Sequence, residues 1–256
     1  MKKLWSLLLG LLLLSGCVQT PRVTPQQENY IGTRQERQIL RQVRTIRSGK
    51  LYQAVVRVGK RLAYASGRRD FRWNYHLIDN PKVANAFVLP GGKVFVYSGL
   101  FRYVANDNEL AVVLGHEIAH ALRSHGIQRM QRQQEAGLVG AVLQVGMHVA
   151  GVDHQTAREV NQIYNQTATL GYLRPYSRKN ESEADALGLF LMAKAGYDPR
   201  AALSFWKKFG ASGPRIPEFL STHPSTYNRI AHLKRLMPKA LEIYRQSIAR
   251  RHRSRR

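Results

Sequence analysis

The sequence predicts an α+β fold, a mainly helical body with one small antiparallel sheet packed beside a buried helix. Three observations carry that expectation. Apolar and basic positions recur at helical spacing over Asn29 to Ser48 and Lys50 to Ala65. The period falls to two between Phe71 and Tyr97. From Asp107 the helical period returns, around an apolar segment that holds His116-Glu117-Ile118-Ala119-His120. With 256 residues, 44% hydrophobic and 22% charged, the chain can bury one substantial core, which argues against a disordered chain or a membrane channel.

The elements follow in order. Lys2-Lys3 precede an apolar run from Leu4 to Leu14, broken by Ser6 and Gly10, and Ser15-Gly16-Cys17 close it. The run is shorter than the roughly 20 apolar residues a bilayer span needs, so residues 1–16 read as a removable export signal. Leu14-Ser15-Gly16-Cys17 resembles a bacterial lipobox, in which Cys17 is lipid-modified and becomes the mature terminus. Val18, in place of Asp, resembles lipoproteins sorted to an outer membrane. Residues 17–28, with two prolines and no periodicity, read as a tether, and 29–245 as the folded domain.

Within that domain two amphipathic helices meet at the Ser48-Gly49 break. Strands are expected at Phe71–Ile78, Ala86–Leu89 and Val94–Tyr97, the last two around Pro90-Gly91-Gly92. Asn106 or Asp107 can cap the next helix, whose apolar face of Leu110, Val113, Leu114 and Ile118 runs on to His125. Gly137 to Gly151 reads as a buried or interfacial helix too short to span a membrane, and 136–172 is a candidate lid. Further helices are expected over Ser182–Ala195, Pro199–Phe209 and Thr226–Leu236. Arg245 to Arg256 is nearly devoid of apolar residues, so 246–256 reads as a mobile polybasic tail.

Forty Lys and Arg against sixteen Asp and Glu give a net charge of +24, the balance of a chain that meets polyanions. An exported chain does not meet chromosomal DNA, so the expected partner is anionic lipid or lipopolysaccharide rather than nucleic acid. Cys17 is the single cysteine. An intramolecular disulfide and a cysteine-rich metal site are therefore excluded, and any metal must be held by histidine and carboxylate.

The pentapeptide His116 to His120 meets that requirement. Positions four apart lie one above the other on a helix, so both imidazoles can reach one ion, while Glu117 is turned by about 100° toward the water to be activated. A catalytic zinc takes three protein ligands. Glu181 and Asp185, in the densest acidic cluster of this basic chain, are again four apart. One can ligate while the other accepts a hydrogen bond from a ligand histidine.

The chain resembles the HtpX/BepA/LoiP-type zinc metallopeptidase family, which also contains the CaaX prenyl endopeptidases, as a lipoprotein member with a zincin-like fold. The resemblance rests on Asn85-Ala86-Phe87 with Pro90-Gly91-Gly92, Ser98-Gly99-Leu100, Asp107 to Leu110, His116 to His120, Tyr176-Ser177-Arg178 with Glu181 to Asp185, Ala195 to Pro199, and Ser221 to Pro224. These pieces cover about residues 50 to 236 in the family's order. The resemblance implies one zinc held by His116, His120 and Glu181, with Glu117 as catalytic base and Asp185 orienting a ligand. It implies that His223 acts at the metal, as a latent fourth ligand or an oxyanion stabiliser. Substrate would lie extended along an edge strand, for which Lys93, Val94, Phe95 and Val96, with Asn85, are the expected contacts. The implied activity is degradation of misfolded or stalled outer-membrane and periplasmic proteins at the bacterial envelope. The alternative is a chaperone-like assembly factor for outer-membrane proteins with a largely latent metal site.

Overall fold

A computed structural model describes residues 23–135, 137, 155, 177–210, 219, 223 and 228–253. The segment expected as an export signal, Cys17, the first half of the expected tether (17–22) and the candidate lid over 136–172 lie outside the described residues, apart from 137 and 155. So does the helix expected over Gly137 to Gly151, apart from 137 itself. No helix among the described residues is long and apolar enough to cross a membrane.

The first helix, α1 (Pro25–Leu40), starts earlier than its apolar periodicity suggests because Thr24 and Gln27 form a reciprocal capping box and Pro25 sits in the first turn. Residues 25–28 of the expected tether are therefore helical. After α1 come a two-residue strand β1 (Thr45–Ile46) and the helix α2 (Gly49–Ser66), which ends at Gly67 in the left-handed conformation. The strands β2 (Asn74–Ile78), β3 (Ala86–Leu89) and β4 (Lys93–Tyr97) follow. β2 begins later than the alternation starting at Phe71, since the Arg72 amide donates to the Asn29 side chain of α1 at 2.8 Å instead of to a strand.

The sheet is mixed, not wholly antiparallel, with strand order β1-β2-β4-β3. The segment after β2 carries the chain one strand too far, so β3 descends at the outside. The Gly91-Gly92 turn, both glycines at positive φ, then returns β4 into the gap, antiparallel to β3 and parallel to β2. This topology corrects the expected substrate strand. Lys93, Val94, Phe95 and Val96 belong to a central strand paired on both sides, with side chains buried. The Lys93 ammonium is bound to the backbone carbonyl of Arg72 rather than offered to a ligand. β3 is the outer strand on this side of the sheet, β1 being the other, and Asn85, which accepts the Tyr97 amide through its own carbonyl, stands at the entrance of β3.

Past a 3₁₀ turn, Ser98–Arg102, the helix α3 (Asp107–Leu122) runs through the centre, capped by Asn106, which accepts from the amides of Asn108 and Glu109. Every residue from Glu109 to Ala121 is buried, the pattern of a helix enclosed on all sides. It is enclosed by α4 (Arg178–Lys194), α5 (Ala201–Gly210), α2 and β3. The last helix, α6 (Arg229–Arg253), packs on α4 and α5. It also corrects the expected mobile tail: residues 246–253 are helical, and Arg251 donates to the Ala195 carbonyl at the end of α4. The orphan carbonyls of a helix C-terminus attract a guanidinium, which anchors an otherwise polar segment.

Candidate metal centre

α3 and α4 cross with their backbones in contact, and that contact decides what the site can be. A methyl group on Gly188 would stand 2.8 Å from the His116 amide nitrogen and 2.9 Å from the Gly115 carbonyl carbon. Glycine at both positions lets His116 and His120 on one helix meet Glu181 and Asp185 on the other. All four side chains are buried, none more than 4% exposed.

His116 Nε2 lies 3.1 Å from His120 Nε2 and 3.3 Å from Glu181 Oε2, and His120 Nε2 lies 3.3 Å from Glu181 Oε1. His223 adds its Nδ1, 3.1 Å from Glu181 Oε1 and 3.3 Å from His116 Nε2. One donor atom from each of these four residues falls within 4.8 Å of the others. With the Nδ1 atoms of His116 and His120 engaged behind them, by Asp185 and His125, their Nε2 atoms turn bare lone pairs on one another, an arrangement that a cation between them relieves. Ligands at about 2.0–2.1 Å from a tetrahedral zinc are separated by about 3.3 Å, so the observed separations fit that ion.

Each of the first two histidines is also held from behind. His116 Nδ1 donates to Asp185 Oδ1 at 2.9 Å, which fixes the tautomer and leaves Nε2 for the cluster. Arg229, at the start of α6, donates to Asp185 Oδ2 at 2.7 Å and to Glu181 Oε2 at 2.9 Å, and its guanidinium lies 4.0 Å from the centre of the Trp206 ring. Burial disfavours a charged His116, but the Asp185 and Glu181 carboxylates outweigh it and raise its pKa to about 9. In His120 burial prevails and the pKa falls well below the ordinary value. Burial would raise Glu181, yet the three imidazoles around it hold it well below the usual carboxylate range.

Glu117 stands to one side of His116, His120 and Glu181, against β3. The Val88 amide lies against its carboxylate, and His223 Nε2 is 3.2 Å from its Oε1. Burial raises its pKa, the direction that makes a carboxylate a better proton acceptor near neutral pH. His223 thus stands between that cluster and Glu117. Its place is fixed by its amide on the Phe219 carbonyl at 2.9 Å and by the Phe219 ring stacked 4.5 Å away, while the Phe219 amide donates to Ala84 just before β3.

Three participants escape a reading of the sequence. Arg229 is one of forty basic residues and has no fixed spacing from either motif. His125 and Glu183 meet behind His120, with His125 Nδ1 at 2.9 Å from His120 Nδ1 and His125 Nε2 at 3.3 Å from Glu183 Oε2. The available signal was a third histidine just beyond the pentapeptide, but helical continuation would have turned it elsewhere. The chain instead breaks at Ser124, whose φ of 52° is the single positive value outside glycine among the described residues. That conformation costs about 1–2 kcal/mol. The Ser124 hydroxyl donates to the buried Glu28 carboxylate of α1 at 2.6 Å, a bond to a charged group that contributes about 1.5–3 kcal/mol and offsets the strain.

The comparisons with known proteins agree with this geometry. The family model described as peptidase family M48 matches residues 50–237. The bovine mitochondrial metalloendopeptidase OMA1 is 40% identical over 182 residues, 69% of this chain and 35% of its own length. The mitochondrial metalloendopeptidase OMA1 of Saccharomyces cerevisiae is 38% identical over 185 residues, 69% of this chain and 50% of its own. The beta-barrel assembly-enhancing protease of Escherichia coli is 30% identical over 208 residues, 80% of this chain and 42% of its own. The chain thus spans about a third to a half of the length of these relatives.

Proposed function

The chain belongs to peptidase family M48, and from that premise we propose that it is a zinc-dependent endopeptidase of the bacterial cell envelope, degrading misfolded or stalled outer-membrane and periplasmic proteins. The observation that carries the reading is the convergence of His116, His120 and Glu181 on one point, with Glu117 beside the outer strand β3.

In this reading His116, His120 and Glu181 hold the ion, with Asp185 and Arg229 fixing His116 and Glu181. Zinc bound there would polarise the scissile carbonyl and lower the pKa of water toward neutrality. An extended substrate pairs with the outer edge of β3, from Asn85 to Leu89, which brings its backbone past Glu117. Glu117 takes the proton of the attacking water and delivers it to the leaving amine. Backbone pairing makes the enzyme tolerant of sequence and demanding of unfolded substrate.

The location rests on the export signal and lipobox-like Cys17, on the absence of Asp at 18, and on the likeness to a bacterial assembly-enhancing protease. Lipidation at Cys17 would leave only a short tether before α1. Arg34 and Arg37 on that helix and Arg41 at its C-cap lie along one exposed side beside Tyr30, which is 64% exposed, and offer a contact for anionic lipid or lipopolysaccharide. The alternative of a chaperone-like assembly factor with a latent site is favoured by one observation, His223 Nδ1 at the fourth corner of the ligand set.

Metal content of the purified mature chain and casein cleavage, each compared with Glu117→Gln, test the assignment. The expected result is about one zinc per chain in both, with cleavage reduced about 10²- to 10⁴-fold in the variant. Zinc without cleavage in either would move the reading to the latent factor, and no tightly held metal would sink it.

A further inference from the structure

We propose that His125 is a positioning residue for zinc at this centre, holding the ring of His120 through an imidazole-to-imidazole hydrogen bond. The proposal rests on zinc binding by His116, His120 and Glu181. On an uninterrupted helix the fifth residue after His120 would be turned by about 140° from it and could not reach its ring. Here α3 ends at Leu122, Ser124 takes φ 52°, and the chain is helical again over 125–135, with the Gln128 amide donating to the Ser124 carbonyl. That joint folds His125 back under His120, where both rings are buried and their Nδ1 atoms are 2.9 Å apart.

The protons in this contact have one consistent arrangement. His120 turns Nε2 to the ligand cluster, so that atom must be bare and its proton must sit on Nδ1. His120 Nδ1 therefore donates, and His125 Nδ1 accepts. A neutral His125 then carries its own proton on Nε2, 3.3 Å from Glu183 Oε2, and the Glu183 carboxylate in turn accepts from Arg123 Nε at 2.7 Å. The bonds from His120 to His125 and from His125 to Glu183 thus point outward from the metal centre and end on a carboxylate, which Arg123 holds from the far side. His116 gains the same support directly from Asp185, whereas His120 gains it through an intervening imidazole.

The chain of contacts also joins separate parts of the fold. Arg123 and His125 flank the joint at the end of α3, Glu183 belongs to α4, and Glu28 of α1 binds the hydroxyl of Ser124 at 2.6 Å. The two crossing helices are thereby tied once at Gly115 and Gly188 and again behind His120. Partners of this kind orient a ligand and raise its basicity, and their loss weakens metal binding about 10- to 100-fold.

Zinc affinity measured by chelator competition on the full chain, for His125→Ala, His125→Asn and His125→Gln, tests the proposal. Alanine should lower affinity about 10- to 100-fold. Asparagine places Oδ1 where the imidazole Nδ1 stood and should restore most of the affinity, whereas glutamine reaches only the Nε2 position and should not. The visible spectrum of the cobalt-substituted chain should follow the same order, with asparagine matching the parent. Unchanged affinity in the alanine variant would overturn the proposal, as would equal affinities of the asparagine and glutamine variants should alanine fail to fold. A parent chain that takes up no zinc would instead remove the metal-centre reading beneath it.

Discussion

His223 holds two positions at once: its Nδ1 is 3.1 Å from Glu181 Oε1, within the ligand set, and its Nε2 is 3.2 Å from Glu117 Oε1. A hydrolytic zinc needs an open position, so His223 at the fourth corner would have to give way before water or substrate could reach an ion held there. Replacement of His223 by alanine should therefore raise casein cleavage while weakening zinc retention, measured together on one preparation. A fall in cleavage with zinc retained would assign His223 to stabilising the oxyanion instead. The pentapeptide made His116, Glu117 and His120 legible because helical spacing alone aligns them. Between Glu181 and Asp185 spacing left the roles open, and the resemblance assigned them. Arg229, which touches both carboxylates, was not legible, since only the packing of α6 on α4 brings it there.

Among the elements, the α3–α4 crossing sets the geometry of the centre. Gly188 is helical and has no need of a special φ, so its role is to have no side chain. Gly188→Ala would press a methyl group into the backbone at His116, where no side chain can move aside. Overpacking of this kind costs about 1–3 kcal/mol, and a lower melting temperature together with weaker zinc binding should register it. A melting temperature equal to the parent's would mean the helices separate freely. The sheet gives the opposite lesson about legibility. Alternation located each strand, but strand order is a property of the connections, and the crossing from β2 to β3 made β4 central and β3 the outer strand. The expected contacts at Lys93 to Val96 failed for that reason alone.

For the whole molecule, a net charge of +24 raises the expectation of an anionic partner but locates no surface for it. Arg251 binds the Ala195 carbonyl, so part of the terminal charge serves the fold. On α1 and at its C-cap, Arg34, Arg37 and Arg41 are exposed and have no carboxylate partner among the described residues. Changing these three to glutamine in the unacylated chain should weaken binding to phosphatidylglycerol vesicles about a hundredfold at low salt, since each basic residue near such a surface contributes about 1 kcal/mol. Casein cleavage should be unchanged. Loss of binding only on deletion of Arg250 to Arg256 would transfer the contact to the end of α6. By itself the sequence determined the mainly helical class, the zinc-ligand pentapeptide and the family pattern, because these depend on local periodicity and fixed spacing. Tertiary structure alone decided which strand lies at the edge, which arginine joins Glu181 to Asp185, and how a left-handed serine turns His125 onto His120. Those features depend on where distant segments cross, and neither periodicity nor spacing encodes a crossing.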